Sequence, residues 1–273
     1  MVIESFVSPV EAEKQPWKLL FLGLLYALVG VFLAQMVFAE QASLVMVFFT
    51  TMACIPLMHS TMRLEEKKDT LLISEWRILN EHRKAIVFFL FLFFGLCLGY
   101  TLLYVLLPES FSSNIFAIQS KTIYSINSRI SGSFEPNARF FFEILFNNFK
   151  VMIFCILFSF IYGSGSIFII VWNATVISTA IGNLIRSSLV SQGIHQAVSY
   201  GFMRYFTHGI PEVTAYLVAG LAGGIISVAV IRNDIATEKF EGVMLDAAEL
   251  IALSVAILIV AAYIETYITP VLF

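Results

Sequence analysis

The run Ala85–Leu107, AIVFFLFLFFGLCLGYTLLYVLL, holds no charged residue and hardly a polar one. A helix of about 20 such residues spans the hydrocarbon core of a bilayer, whereas a soluble fold would have to bury it on every side. The chain carries further runs of this kind, at about Trp17–Phe38, Leu44–Met58, Pro211–Ile231 and Ala247–Thr269. Only 13% of its residues are charged, against about 25% in soluble domains, so it cannot solvate an ordinary globular surface. Lipid removes that need, provided each backbone polar group is satisfied within its own segment, as in a helix. The sequence therefore predicts an all-α fold: a polytopic helical membrane protein with about six or seven transmembrane or re-entrant helices, multi-pass in the cell membrane.

The segments between the runs suggest an orientation. The first sixteen residues, MVIESFVSPVEAEKQP, are mixed and slightly acidic, unlike the basic start of a removable leader, so the first run is expected to remain as an anchor. A short turn, AEQAS, makes the first two runs a helical hairpin, with the second interrupted late by Pro56. The stretch His59–Lys84 is the densest in charge and includes Arg63, Lys67, Lys68, Arg77, Arg83 and Lys84. Positive loops stay in the cytoplasm, which places loop 59–84 and the N-terminus inside. Leu64, Leu71 and Ile78 recur every seven residues, and neither Pro nor Gly occurs from Arg63 to Phe94. That pattern predicts an amphipathic helix continuing into the third span as one long helix that ends at Pro108. A solvated charged face accounts for these charges; a docking surface for a cytoplasmic partner is the sharper reading. His59 and His82 belong to this region and call for no special role.

Residues 108–139 are rich in Ser and Asn and form the one sizeable polar segment expected outside. Loops longer than about 12–15 residues are commonly functional or mobile, and the Ile, Phe and Tyr within this one suit a membrane surface. Phe140–Phe149 then reads as an interfacial helix, followed by a span to about Trp172. Asn173 opens a further segment that either crosses the membrane or re-enters it, with Ala174, Ser178 and Gly182 as a small-residue stripe suited to close helix approach. Arg232 and Lys239 put the loop before the last span inside. The chain thus divides into an N-terminal part, 1–107, an extracytoplasmic loop, 108–139, and a C-terminal membrane part, 140–273.

Several classes of function find no support. A net charge of −3 without a basic stripe gives nucleic acid nothing to bind. Cys54, Cys97 and Cys155 lie in apolar runs without CxxC spacing, which suits small buried residues better than a disulfide or zinc site. No nucleophile elbow, P-loop or dinucleotide turn is present. The pair Glu65-Glu66 lacks the arginine that membrane prenyl-protein proteases place after a paired glutamate, because Thr70 stands there. The chain reads as a non-enzyme with no cofactor.

The polar residues inside the apolar runs matter most, since ionisable groups in membrane segments are costly and tend to mark function. The stretch FTHGIPEVTAYLVAGLAGG, Phe206–Gly224, holds several. Pro is favoured at the first position of a helix, so Pro211 is expected to start one, with Glu212 in its first turn favoured by the helix dipole. A proline also disfavours helical geometry in the residue before it. His208 and Glu212 are then not expected to align as a metal-ligand pair; a site built on them would need His195, Glu265 or Asp234 as well. Glu265 lies near the end of the last run, with Arg186, Arg204 or His208 as expected ion-pair partners. Gly95 with Gly99, and Gly220 with Gly224, form GxxxG pairs that suit close packing within the chain.

Four stretches, FFEILFNNFKVMIF, GSGSIFIIVWNATVIS, HGIPEVTAYLVAGLAGG and AILIVAAYIETYITP, occur in this order. Together they resemble the stage II sporulation protein M family of integral membrane proteins over about residues 140–270. The first half shows no clear match. The resemblance makes Asn147, Asn148, Asn173, His208, Gly209, Glu212, Gly220, Glu265 and Pro270 signature positions. The family often has Asn-Gly where this chain has Asn173-Ala174, so the turn there is expected to differ. The founding member belongs to a membrane complex with cell-wall-degrading partners needed for engulfment, and the family extends to organisms without spores. The resemblance thus implies a scaffold or complex subunit with envelope protein partners, or a homo-oligomer. A transporter or permease subunit with a polar path at His208, Glu212 and Glu265 is the alternative, and an intramembrane metal-dependent hydrolase a weaker one.

Overall fold

A computed structural model describes residues 14–69, 75–130, 138–162, 165–231 and 238–272. Among these residues there is no strand. The helices are α1 (Lys18–Val37), α2 (Ala42–Asp69), α3 (Glu75–Leu106), α4 (Glu109–Ile115), α5 (Ala117–Ile130), α6 (Ala138–Tyr162), α7 (Ser166–Gln192), α8 (Ile194–Ile231) and α9 (Glu238–Tyr263). A π-helical turn, Ile264–Ile268, and a last helical turn, Thr269–Leu272, continue α9. Seven of the helical segments are long and apolar enough to cross a membrane. The protein is an all-α, polytopic membrane protein.

Several boundaries differ from those expected. Helix α2 runs through Pro56 to Asp69, and α3 is described from Glu75; residues 70–74, inside the long helix expected from Arg63, lie outside the described residues. Leu71 lies outside the described residues. Phe140–Phe149 is no separate interfacial element but the first part of α6. Trp172 and Asn173 both lie inside α7, whose apolar length suffices for a crossing. Helix α8 is the largest departure: its 38 residues run straight through Pro211, a length of ~57 Å at 1.5 Å per residue. Pro211 does not begin a helix, and Glu212 lies in the middle of one.

Glycine sets how closely the helices approach. A Cβ on Gly23 would collide with the Leu92 carbonyl, and one on Gly95 with the Leu20 carbonyl, so α1 and α3 touch backbone to backbone. Gly99 meets Leu24 and Ala27 of α1 in the same way. This GxxxG pair is used within the chain. In the second group of helices a Cβ on Gly220 of α8 would lie 2.6 Å from Ser166 Oγ. Gly223 faces the Ile156 carbonyl of α6, and Gly224 is buried. Gly209 is looser, with Ile177 Cδ1 at 3.7 Å from the position of its Cβ.

Hydrogen bonds between helices fix the register that these contacts permit. The Tyr100 hydroxyl of α3 donates to Thr50 Oγ1 of α2 at 2.7 Å, and Thr50 Oγ1 to the Tyr26 carbonyl of α1 at 3.4 Å. Ser178 Oγ of α7 donates to the Cys97 carbonyl at 3.0 Å. Ser254 Oγ of α9 donates to the Ala215 carbonyl of α8 at 2.8 Å. In lipid these bonds matter because the hydrophobic effect does not separate helix contacts from lipid contacts.

The polar segment 108–139 is not an open loop where it is described. Its helices α4 and α5 dock on the bundle. Phe116, between them, is fully buried and meets Tyr100 and Tyr104 edge to face. Gln119 is also fully buried. It accepts from Ser43 Oγ at 2.7 Å, and its amide donates to the Ser43 carbonyl at 3.2 Å and to Thr175 Oγ1 at 3.3 Å. An unpaired buried amide would cost several kcal/mol, about 2–7 by reference state; here both ends of the amide are matched.

Candidate functional site

Asn148, Glu212 and Glu265 come together from three helical segments. Asn148 is buried on α6, and its Nδ2 donates to Glu212 Oε1 on α8. Glu265, on the π-helical turn after α9, lies against Glu212 closely enough for the two carboxyl groups to hydrogen-bond. The expected partners Arg186, Arg204 and His208 do not pair with Glu265. No ion pair to either carboxyl group exists among the described residues. Two carboxylates in contact repel each other, so the pair is stable when it shares a proton or when a cation lies between them.

Both supporting helices are irregular at this point. Pro211, the residue before Glu212, has no N–H to give the carbonyl one turn earlier, at Thr207. Glu265 sits in a π-helical turn, a form that appears frequently at functional sites. Irregular backbone at membrane depth is tolerated where protein or a cavity covers it. Proline ordinarily kinks or breaks a helix interior at about 3 kcal/mol; α8 remains helical on both sides because α6, α7 and α9 pack against it.

His208 and Glu212 lie on one continuous helix at i and i+4, which places them on the same face; Pro211 does not break that alignment. His208 Nδ1 lies 3.4 Å from Thr269 Oγ1, so the histidine extends the polar centre toward the last helical turn. Tyr216, a further turn along α8, is 2% exposed. Its phenol interacts electrostatically with Glu212 and Glu265. Thr266, next to Glu265, is fully buried, and its hydroxyl lacks a hydrogen-bond partner among the described residues. Tyr216, Thr266 and Thr269 escaped the sequence reading, since a tyrosine or threonine in an apolar run looks like packing. For Tyr216 the available signal was its i+4 spacing from Glu212.

The remaining singled-out residues lie elsewhere. Asn147 is exposed. Asn173 Nδ2 donates to the Ile169 carbonyl of its own helix at 2.8 Å, so Asn173-Ala174 forms no turn. Arg186 reaches the far end of α3: it donates to the Leu107 carbonyl, donates to Ser112 Oγ at 2.8 Å and covers the Tyr104 ring at 5.0 Å. Arg204 is exposed, with Tyr200 Oη 3.4 Å from its Nη1. His195 is exposed at the start of α8, Pro270 is exposed in the last turn, and Asp234 lies outside the described residues. Among the described residues no three His, Cys, Asp or Glu side chains gather as a metal cluster.

A bundle of membrane-crossing helices with a polar centre held between three of them defines a class of integral membrane protein. The comparison with known proteins narrows it. Residues 84–270 match the family model of Stage II sporulation protein M, more than half of the chain, and the protein belongs to that family. The match starts in α3 and takes in α4 and α5, so it begins well before the resemblance read from about residue 140. The chain is also 27% identical over 157 residues to an uncharacterized protein of Methanocaldococcus jannaschii, covering 56% of this chain and 84% of that protein. No solved structure matches it.

Proposed function

We propose that the protein is a membrane transporter or permease subunit in which the Glu212–Glu265 pair holds a cation during passage. The observation that carries this reading is the contact of two half-buried carboxyl groups in the bundle with no basic side chain paired to them among the described residues. A bundle serving only as a scaffold gains nothing from such a pair. Apolar residues of similar volume in place of buried charges are often neutral or stabilising. Discontinuities beside the carboxyls, at Pro211 and at the π-helical turn, fit a transport site, because transporters commonly bind ions where helices are broken. The scaffold reading implied by the family resemblance rests on the founding member's partners and assigns the carboxyl pair no task.

Reconstitution tests this. Purified protein is placed in liposomes containing a pH-sensitive dye or a divalent-metal-sensitive dye, and a gradient of the corresponding cation is imposed. The wild-type protein is expected to carry flux above that of empty liposomes, and Glu212→Gln to abolish it. Flux no greater than in empty liposomes for either cation would overturn the proposal. Unchanged flux in Glu212→Gln would remove the carboxyl pair from the path.

A further inference from the structure

We infer that α6 pairs with the α6 of a second copy of this chain, along an exposed face in which Lys150 of each copy is held by Asn147 and Glu143 of the other. The inference is independent of the transport reading. Depth comes first. Helix α6, Ala138–Tyr162, is the least buried of the seven segments able to cross a membrane. Lys150 stands twelve residues from either end of it, ~18 Å at 1.5 Å per residue, and it is exposed. It has no ion-pair partner among the described residues, where Glu143 pairs with Arg139 of its own helix at 3.0 Å. A lysine facing lipid at such depth is costly, and charged groups in spans ordinarily face protein or water. Asn147, one turn nearer the start of α6, is exposed as well, while Asn148 beside it is buried and donates to Glu212. This part of α6 is therefore polar on two sides, and only the inner side is filled within one copy.

Spacing comes second. Glu143, Asn147, Lys150, Phe154, Leu157 and Ile161 are all exposed, and they follow one another at alternating steps of four and three. That is the seam of a coiled coil, in which a polar residue fixes register and the number of strands. In membranes an Asn in such a seam hydrogen-bonds across to the facing helix. The apolar members fill the half of the seam toward Tyr162, and the polar ones the half toward Ala138.

Charge decides the occupant. Copies in one membrane share an orientation, so the two α6 helices run parallel, and two-fold symmetry sets like residues at equal depth. Side chains on a helix lean toward its N-terminus. Lys150 thus rises to the level of Asn147, three residues or ~4.5 Å along the axis, and away from the other Lys150. The Asn147 oxygens accept from the ammonium groups, and the two Glu143 carboxylates, one turn further along, balance the two lysines. The face carries its own complement; an unrelated helix would have to bring an acceptor to the same depth.

Disulfide cross-linking in membranes tests this with the full-length chain. Cys54, Cys97 and Cys155 are buried, so the wild-type protein is expected to stay at the mass of one chain under copper phenanthroline. Leu157→Cys and Ile161→Cys, in the seam, are expected to give a band at twice the 30.6 kDa of the chain. Phe48→Cys, on α2 and similarly exposed, is expected to give none. Adding Lys150→Glu to Leu157→Cys is expected to lower cross-linking severalfold, and Lys150→Arg to preserve it. Where the glutamate variant fails to insert, Asn147→Leu serves, with the same severalfold loss expected.

No cross-link at either seam position would leave this face to lipid and overturn the inference. A product of any mass other than twice the chain would give the face to a different protein and overturn it too. Cross-linking of Phe48→Cys equal to that of the seam would reduce the pairing to random collision. Cross-linking unaltered by every inserted Lys150 and Asn147 variant would show that these side chains do not hold the pair.

Discussion

The amide of Asn148 donates to the carboxyl group of Glu212 across the interface of α6 and α8, and this bond orients one member of the carboxyl pair toward the other. Hydrogen bonds to charged groups contribute about 1.5–3 kcal/mol. Asn148→Ala is therefore expected to reduce cation binding or flux by roughly tenfold to a hundredfold, since each 1.4 kcal/mol is tenfold. Asn148→Gln, with the same chemistry on a longer arm, is expected to lie between Ala and wild type. Equal activity in all three proteins would show that the bond orients nothing of consequence.

The composition of that centre was largely legible before its geometry was. His208, Glu212 and Glu265 stand out because polar groups are costly within apolar runs, and Asn148 stands out through the family resemblance. How they meet was not legible, and Pro211 is the reason. Read locally, proline belongs at a helix start, and that rule cut α8 in two and set Glu212 in a first turn. Packing by α6, α7 and α9 on both sides of Pro211 outweighs the local preference. Gln119 shows the same limit from the other direction. Its neighbours Ser and Lys marked the segment as polar, while its partners Ser43 and Thr175 lie far away in sequence. Hydropathy locates runs; it does not say which polar residues find one another.

The α1–α3 contact yields a prediction about stability. With Gly95 against the Leu20 backbone and Gly23 against that of Leu92, a larger residue on either side must push the helices apart, because a carbonyl on a neighbouring helix cannot swing away as a side-chain tip can. Overpacking typically costs about 1–3 kcal/mol. Gly95→Leu is expected to lower the thermal unfolding temperature in detergent and to reduce yield. Gly242, whose Cβ would meet nothing within 4 Å, is the control, and Gly242→Ala is expected to melt as the wild type does. A Gly95→Leu protein as stable as the control would mean that α1 is not seated on α3 in this way.

Gln119 carries the docking of α5. Gln119→Leu has a similar volume but leaves Ser43 Oγ without its acceptor and removes the donor to the Ser43 carbonyl. Loss of partners by buried polar groups costs about 1–3 kcal/mol. The expected result is faster proteolysis within residues 117–130 of membrane-embedded protein, with little change elsewhere. Gln119→Glu, which keeps the acceptor but not the donors, is expected to fall between. Identical proteolysis of all three would place the hold on Phe116 alone, through its contacts with Tyr100 and Tyr104.

Orientation is open to direct measurement because Cys54, Cys97 and Cys155 are all buried and free, which keeps the labelling background low. Tyr124, on α5, is 75% exposed, and Glu241, near the start of α9, is also exposed. By the positive-inside rule the face beside the basic region 59–84 is expected in the cytoplasm. Alternate crossings by α3, α6, α7 and α8 then put Tyr124 outside and Glu241 inside. In intact cells, a membrane-impermeant maleimide is expected to label Tyr124→Cys at once and Glu241→Cys only after permeabilisation. The reverse pattern would invert the protein in the membrane. Labelling of both in intact cells would mean that the helices between them do not make three full crossings, and α7, the most polar of those at its end, would be the one to re-examine by the same method at Ser187, which is exposed.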